Sequence, residues 1–373
     1  MPVRSPKDVR TVLYQPPEPV TWAGEYPDIG GFCFASESGN MWLTSYDFKI
    51  YPGVVPVVKS GEAINGVAFT GDLMAASTRG EVVVITRGST KLPGGLGYTY
   101  AGGAHGIIAS KRGKVVAPMG KAGLLLIHPL DDGRNARTVI KAVGESPYYY
   151  HTIQLGDDGQ GGELFASAGR TDGLILTPID QSAKPGAIKV VKPKESHPLF
   201  GLDVVGLCSL NTPAQPRALA FLGMDGSLHL SADILGFDLM TMVFGGMEGT
   251  PYTVHCAQGH LFILTSEKLY AMKGFVAEFL SGRTTDLGER TPSLDVDAVD
   301  FTIVDDEYLM IIQENGVSII LVKDLFGSPG NAPLGHQGMG RSAEISSPGL
   351  IRSTMGPSPG YRSEIRTEIM EFV

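Results

Sequence analysis

Apolar runs separated by tight turns recur along this chain, and they determine its predicted architecture. Each copy has a β-rich apolar run, a turn and a second apolar run, as in LMAASTRGEVVVIT at 73–86. Runs of about five residues have the length of an ordinary strand, so each copy predicts a β-hairpin. Some runs, such as 82–85, are apolar throughout, which is typical of strands covered on both faces. The seven copies occupy 32–45, 73–86, 115–129, 164–178, 218–231, 261–274 and 309–322.

The turns of these hairpins recur with a regular period. Pairs such as Asp225-Gly226 and Asn315-Gly316 favour two-residue turns, because such turns need a positive φ. The sixth copy has Glu267-Lys268 at this place instead of a glycine. The spacing of roughly 40 to 50 residues is that of a four-stranded propeller blade. The turn glycines are Gly39, Gly80, Gly123, Gly173, Gly226 and Gly316.

A third apolar run precedes six of the hairpins, and a weaker fourth run follows most of them. We therefore predict an all-β fold: a seven-bladed β-propeller of four-stranded antiparallel blades, with the ring closed by a terminal strand. Long helices between strands, which an α/β fold needs, are absent from the pattern. The blades are expected near 14–58, 62–100, 104–143, 148–191, 202–245, 251–290 and 296–326.

The predicted propeller fills residues 1–326 as one domain. Residues 327–360 are rich in Gly, Pro and Ser, which favours a flexible linker or a tail that orders on binding a partner. The β-rich segment 361–373 could close the propeller, as could the segment 10–14. Either would add an outer strand to the first or last blade.

Composition narrows the classes of partner. The net charge is −9 and no cluster of Lys and Arg occurs, so neither nucleic acid nor an anionic membrane is an expected partner. The N-terminal segment has no apolar core of a signal peptide. Only three cysteines occur, Cys33, Cys208 and Cys256, and their spacing fits no zinc motif. A sparse, odd number favours a reducing compartment, so we expect a cytoplasmic protein with buried thiols.

Polar residues open the innermost strand of most predicted blades. At one level of a propeller, such residues would form a ring at the mouth of the central channel. Polar side chains suit a wet channel without any function, and Asp or Asn at a strand start also bonds its own turn. Alternatively, the ring binds an ion or a small ligand. Its members are Asp28, Asn65, His105, His151, Asp203, Tyr252 and Asp297.

Catalysis at this ring is a further reading. His105 or His151 would act as the general base, and the carboxylates would hold a divalent metal ion. Histidine and aspartate side chains suit both acid–base catalysis and metal binding. The carboxylates are those of Asp28, Asp203 and Asp297. No nucleophile, phosphate-binding or zinc-protease motif supports an enzyme elsewhere in the chain. We therefore expect no cofactor other than such a metal.

Three consecutive tyrosines, Tyr148, Tyr149 and Tyr150, precede His151 on a predicted loop. Exposed tyrosines often anchor protein interfaces, since they bury a large area at a small entropic cost. Packing between the third and fourth blades is the other interpretation.

From about residue 14 to 326, the blade period and the hairpins resemble the broad superfamily of seven-bladed propellers, as WD40 and quinoprotein-like repeats do. No copy carries the Trp-Asp or Gly-His signatures of WD40 repeats, and the only tryptophans are Trp22 and Trp42. The resemblance therefore implies the fold and transfers no functional residues.

Two functions follow as hypotheses. The first is a non-catalytic interaction module, a scaffold or a regulatory subunit that binds a protein or peptide on the propeller face. The second is a metal-dependent hydrolase or lyase with its site at the channel mouth.

Overall fold

The computed structural model describes most of the residues between 11 and 326 and two short segments after them. The described residues are 11–26, 31–46, 48, 50–71, 73–86, 97–129, 135–142, 148–157, 160–168, 174–182, 184, 186, 189–191, 204–210, 215–236, 238–243, 247–282, 293–295, 298, 300–304, 306–313, 316–326, 350–354 and 365–370.

Strands account for nearly all of the regular structure in these residues. The first fifteen are β1 (Thr11–Tyr14), β2 (Val20–Tyr26), β3 (Gly31–Ser36), β4 (Asn40–Ser45), β5 (Ile50–Pro56), β6 (Gly66–Thr70), β7 (Leu73–Ser77), β8 (Glu81–Thr86), β9 (Gly97–Ala101), β10 (Ile108–Ala109), β11 (Val115–Pro118), β12 (Leu124–Pro129), β13 (Asn135–Ala142), β14 (Thr152–Asp157) and β15 (Glu163–Ala168).

The remaining strands continue to the C-terminal segment. They are β16 (Leu174–Ile179), β17 (Lys189–Val191), β18 (Val204–Ser209), β19 (Leu219–Gly223), β20 (Ser227–Ser231), β21 (Asp238–Val243), β22 (Pro251–Ala257), β23 (His260–Thr265), β24 (Lys268–Met272), β25 (Ser293–Asp295), β26 (Asp300–Val304), β27 (Tyr308–Gln313), β28 (Gly316–Leu321), β29 (Leu350–Thr354) and β30 (Ile365–Met370).

Helix is scarce in the described part of the chain. It comprises α1 (Phe275–Leu280), α2 (Val322–Leu325) and a 3-10 turn at Ile234–Gly236. None of the helices seen there combines the length and the apolar character needed to cross a bilayer.

The described strands pair into seven antiparallel sheets. Each sheet is built mainly from strands that follow one another in the chain, and β1, β29 and β30 add to the edges of three of them. The first six are β2–β5, β6–β9, β10–β13, β14–β17, β18–β21 and β22–β25, and the seventh is β26–β28 with β1. Most sheets touch the next through their first strands, and the seventh touches the first through β26 and β2. The first strand of most sheets is therefore the one that faces the neighbouring sheets, and we call the first strand of a sheet its innermost strand.

The apolar core is divided among the junctions between sheets. Each of seven buried clusters joins the facing sides of two consecutive sheets, and one of them joins the seventh sheet to the first. This explains strands that are buried along their whole length, such as β7 and β19. A sheet between two neighbours must be apolar on both faces, so the strand sequence does not alternate.

The two-residue hairpin turns predicted from the sequence are wrong for the fifth sheet. Gly226 N–H donates to the Gly223 carbonyl at 3.0 Å, and among these turn residues only Gly226 has a positive φ, of 82°. The loop is thus a three-residue turn that ends in a left-handed glycine. The Asp225 carboxylate favours it by accepting the Ser227 N–H at 2.9 Å.

The N-terminal strand completes the seventh sheet. In β1, Thr11 to Tyr14 pair with Ile320 to Val317 of β28. The later strands lie elsewhere: β29 pairs with β21 at the edge of the fifth sheet, and β30 pairs with β13 at the edge of the third. The C-terminal strand therefore adds to neither the first nor the last sheet, and the predicted linker 327–360 contains a strand.

A buried ion pair joins the third and fourth sheets. Lys114 Nζ contacts the Glu163 carboxylate, and the two side chains are only 6% and 2% exposed. The other carboxylate oxygen of Glu163 accepts the Gln154 side-chain amide at 3.0 Å. Because a buried charge needs a partner, each of these two side chains fixes the position of the other.

Candidate functional site

We define the upper face as the side of the molecule on which the first strand of each sheet begins. Antiparallel pairing places the turn between the second and third strands on the same side, as in the pairs Thr152–Ser167 and Ala168–Leu174. The lower face carries the turns between the first and second strands. Four of the seven predicted ring residues are described near the upper face: Asn65, His105, His151 and Tyr252. The other three, Asp28, Asp203 and Asp297, lie outside the described residues.

Asn65 is a structural link between the second and third sheets. Its amide nitrogen donates to the Ala104 carbonyl at 2.7 Å, and its side-chain oxygen accepts the Ser77 hydroxyl at 2.6 Å. Its backbone N–H donates to the Ser77 carbonyl at 2.9 Å. This satisfied network matches the structural interpretation of a polar residue at a strand start.

The structure brings together His105, Tyr148, Tyr150 and His151, which we name the imidazole–phenol cluster. The His105 Nε2 and Tyr148 Oη atoms are 2.7 Å apart in a hydrogen bond. The Tyr150 ring lies 4.8 Å from the His105 ring and 4.1 Å from the His151 ring, between centroids. All four side chains are half-buried. The cluster therefore spans the junction of the third and fourth sheets.

Backbone hydrogen bonds hold this cluster in place. His105 N–H donates to the Pro118 carbonyl at 2.8 Å, and Tyr150 N–H donates to the Ala168 carbonyl at 2.8 Å. The carbonyl of His151 accepts the Ala168 N–H at 2.7 Å. These three residues are each tied to the second strand of their own sheet, so their side chains meet through the packing of the sheets.

Tyr149 does not belong to the exposed face. It is 1% exposed and packs in the apolar cluster between the third and fourth sheets, and burial raises its pKa to about 12. Its backbone bridges to Gly120. The prediction of an interface side chain at Tyr149 is therefore wrong, because alternation along an extended segment turns the middle of three tyrosines inward.

A third histidine, His255 on β22, was not predicted. The pKa of His151 is lowered to about 4, mainly by burial and also by repulsion from the protonated forms of His105 and His255. Burial also lowers the pKa of His255 to about 4. His151 and His255 are consequently neutral near pH 7, where they can donate and accept hydrogen bonds but are weak general bases.

Asp300 on β26 is the second functional candidate that sequence reasoning missed. Its carboxylate accepts the Phe301 N–H at 2.8 Å, and burial raises its pKa to about 6. The ring of Phe301 in turn lies 4.7 Å from that of His255. The sequence string DVDAVD holds both Asp297 and Asp300, and nothing in it indicates which one begins the strand.

The observed carboxylates and histidines do not assemble into a metal centre. Within the described ranges, no group of three or more His, Cys, Asp or Glu side chains is placed to hold a metal ion. Since Asp28, Asp203 and Asp297 lie outside those ranges, the predicted divalent site stays a prediction.

Ser227, His229 and Asp225 combine the residue types of a hydrolase triad in a different order. The Ser227 hydroxyl is 2.6 Å from the Asp225 carboxylate and 2.9 Å from His229 Nε2, so the serine lies between its partners. Ser227 and His229 are at most 1% exposed. A catalytic serine bonds the histidine that the aspartate orients, and it must reach substrate. These hydrogen bonds therefore support the hairpin turn, and the buried serine and histidine are not placed to reach a substrate.

Two large apolar side chains are exposed on the upper face. Met224, in a turn between second and third strands, is 52% exposed, and Tyr252 at the start of β22 is 40% exposed. A Cβ placed on Gly226 would lie 3.6 Å from Met247 Sδ and 4.0 Å from Pro251 Cγ. The turn that carries Met224 thus packs against the segment that leads into Tyr252, and we name these two side chains the Met–Tyr patch.

Comparison with known proteins identifies the fold. No family model and no curated protein sequence matches this chain. Among solved structures, the WD40 β-propeller domain of Doa1 is similar, with a TM-score of 0.56 and 13% sequence identity, over 84% of this chain and 96% of that one. The WD40 repeats of RRP9 are similar with the same TM-score and identity, over 86% and 99%. The predicted WD40-like β-propeller is therefore confirmed as a fold, while the closing of seven blades into a complete ring stays a prediction.

Proposed function

We propose that this propeller is a non-catalytic protein-interaction module, which binds a partner protein on its upper face through the Met–Tyr patch. As a scaffold or regulatory subunit, it would hold its partner on a rigid surface. The observation that carries the proposal is the exposure of Met224 and Tyr252 on one face, on neighbouring sheets whose connecting segments pack together.

The placement of the exposed apolar residues supports this function. In the described part of the chain, four large hydrophobic side chains are strongly exposed. The other two, Leu13 and Val54, lie on the outer strands β1 and β5, away from the innermost strands. Met suits an adaptable contact surface and Tyr suits an anchor, so the patch combines two residue types that favour recognition.

The imidazole–phenol cluster extends the same face with polar contacts. Tyr148 and Tyr150 keep part of their surface exposed, while their rings are fixed by His105. A side chain that is already ordered loses little entropy on binding. With a net charge of −9, the propeller favours a partner that presents basic residues.

The test compares matched pairs of exposed residues. The double variant Met224→Ser/Tyr252→Ser should capture at least tenfold less of a stoichiometric partner from an extract of the native host, since interface anchors cost about 2 kcal/mol or more when truncated. The control is Leu13→Ser/Val54→Ser, which removes similar exposed apolar area from outer strands. Thermal unfolding confirms that both variants are folded.

Equal capture by the two variants would refute the proposal, as would binding that only the control loses. Binding that persists at full strength after both double substitutions would place the interface elsewhere on the molecule.

A further inference from the structure

Two of the three cysteines lie on the innermost strands of neighbouring sheets. Cys208 is on β18 of the fifth sheet, and Cys256 is on β22 of the sixth. Both strands begin on the upper face, so they run in the same direction, and they contact each other. All three cysteines are free thiols.

A glycine allows the two strands to approach closely. A Cβ placed on Gly206 would lie 2.7 Å from the backbone nitrogen of Val254 and 2.9 Å from the Cα of Thr253. Only glycine fits such an approach without moving the neighbouring backbone. Residue 206 of β18 therefore lies opposite residues 253 and 254 of β22.

Two residues further along each strand are the cysteines. Side chains on a strand return to the same face every second residue, so Cys208 shares a face with Gly206, and Cys256 shares one with Val254. Cys208 and Val254 are both buried in the apolar cluster between the fifth and sixth sheets, and Cys256 packs against it. The two thiols consequently face the same junction at the same level.

The electrostatics agree with this proximity. Burial raises the pKa of Cys208, and the nearby Cys256 raises it further. Burial also raises the pKa of Cys256 to about 11. Both sulfurs are therefore protonated at neutral pH, and an apolar junction favours a neutral product over a charged thiolate.

We propose that Cys208 and Cys256 form an oxidation site, at which a peroxide joins the fifth and sixth sheets through a disulfide bond. Cys256 is the more exposed of the two and reacts first. Its thiol loses a proton, the thiolate attacks the peroxide and the O–O bond breaks. A sulfenic acid forms, and the hydroxide that leaves takes up the lost proton to become one water. The sulfur of Cys208 then attacks the sulfenic sulfur, the S–O bond breaks, and a second water leaves with the proton of Cys208. Two thiols are oxidised by two electrons and hydrogen peroxide is reduced to two waters.

The site is independent of the protein-binding function proposed above. It needs only the packing of the two sheets, and it links residues that are distant in the sequence. A cross-link across a closed loop raises thermal stability when the native geometry accepts it.

Treatment of the purified protein with hydrogen peroxide tests the site. We expect a mass loss of about 2 Da, the mass of two hydrogen atoms, and a non-reduced peptide that contains both Cys208 and Cys256. A dithiol reductant should restore the original mass, and the oxidised form should unfold at a higher temperature. The initial rate should rise about tenfold per pH unit between pH 7 and 9, because the thiolate is the reacting form.

Three variants serve as controls. Cys33→Ala should form the cross-link at the wild-type rate, and Cys208→Ala should not form it. Gly206→Ala keeps both thiols but separates the strands, so it should form the disulfide at least tenfold more slowly while its near-ultraviolet spectrum remains native. If that variant does not fold, the peptide map of Cys33→Ala still shows whether Cys208 and Cys256 are joined.

Oxygen addition at Cys256 without the mass loss would overturn the proposal. A disulfide that includes Cys33, or one that joins two molecules, would overturn it as well.

Discussion

The three histidines near the central strands show how strongly a residue depends on its surroundings. His151 has a pKa of about 4 because it is buried and because His105 and His255 are close to it. The sequence identified His105 and His151 from the residue type at a strand start. It missed His255, because this residue lies inside β22 and not at the start of the strand. Asn65 was also predicted at the ring, but hydrogen bonds that a sequence cannot display give it a structural role.

The depressed pKa values predict a loss of stability in acid. The folded pKa of His151 lies below the usual value of 6.5, so from pH 6.5 to 4 the unfolded chain binds a proton that the native state does not. The contribution of His151 to stability should be constant above pH 7 and should fall as the pH drops through this window. Asp300, with a pKa of about 6, acts in the opposite direction and offsets part of the loss.

The variant His151→Gln isolates the contribution of this histidine to the pH dependence of stability. Urea denaturation at pH 7 and pH 5 should show that the wild type loses about 1 to 2 kcal/mol more than the variant between these two values. A wild type and a variant with the same pH dependence would contradict a neutral His151 in the folded protein.

At the scale of strands and turns, the sequence predicted most accurately where burial is uniform. The apolar runs of β7 and β19 predict strands with both faces covered, and both strands are buried along their whole length. Turn chemistry was less certain: the sixth hairpin lacks glycine because the Thr265 hydroxyl accepts the N–H of Lys268 at 2.9 Å. The ion pair Lys114–Glu163 could not be foreseen, because its two members are far apart in the sequence. Lys114 directly precedes β11 of the third sheet, and Glu163 begins β15 of the fourth.

This ion pair gives a prediction for the junction of the third and fourth sheets. Lys114→Met should lower the free energy of unfolding by about 3 to 5 kcal/mol, because it leaves the Glu163 carboxylate buried without its cation. The double variant Lys114→Met/Glu163→Leu should regain most of that loss, since an apolar pair of similar size needs no compensation. Denaturant unfolding of the single and double variants measures both. A double variant that is less stable than Lys114→Met would contradict this account.

At the scale of the whole molecule, the seventh sheet is completed by β1, the first strand in the chain. The seven-sheet organisation followed from the repeat period, but the sequence left open which terminal segment completes a sheet. In the structure, β1 pairs with β28, and Tyr14 anchors it: the Trp42 indole N–H donates to the Tyr14 hydroxyl at 3.0 Å. The Tyr14 ring also lies 4.9 Å from each of the rings of Phe34 and Phe48.

Truncation of Tyr14 should therefore loosen the contact between the first and seventh sheets. Tyr14→Ala should cost about 3 to 5 kcal/mol, as expected for a large buried ring. Tyr14→Phe keeps the ring and should cost about 1 to 3 kcal/mol, because the Trp42 N–H loses its acceptor in a buried place. Thermal and denaturant unfolding distinguish the two. Equal losses would indicate that the hydroxyl rather than the ring anchors β1.

The pairing of β1 with β28 also has a consequence for biosynthesis. Thr11 pairs with Ile320, so about 300 residues must leave the ribosome before the first strand meets its partner. At the usual rate of about 5 to 20 residues per second, this takes roughly 15 to 60 seconds. Throughout that time the nascent chain carries an unpaired β segment, which is a natural substrate for chaperones that act during translation.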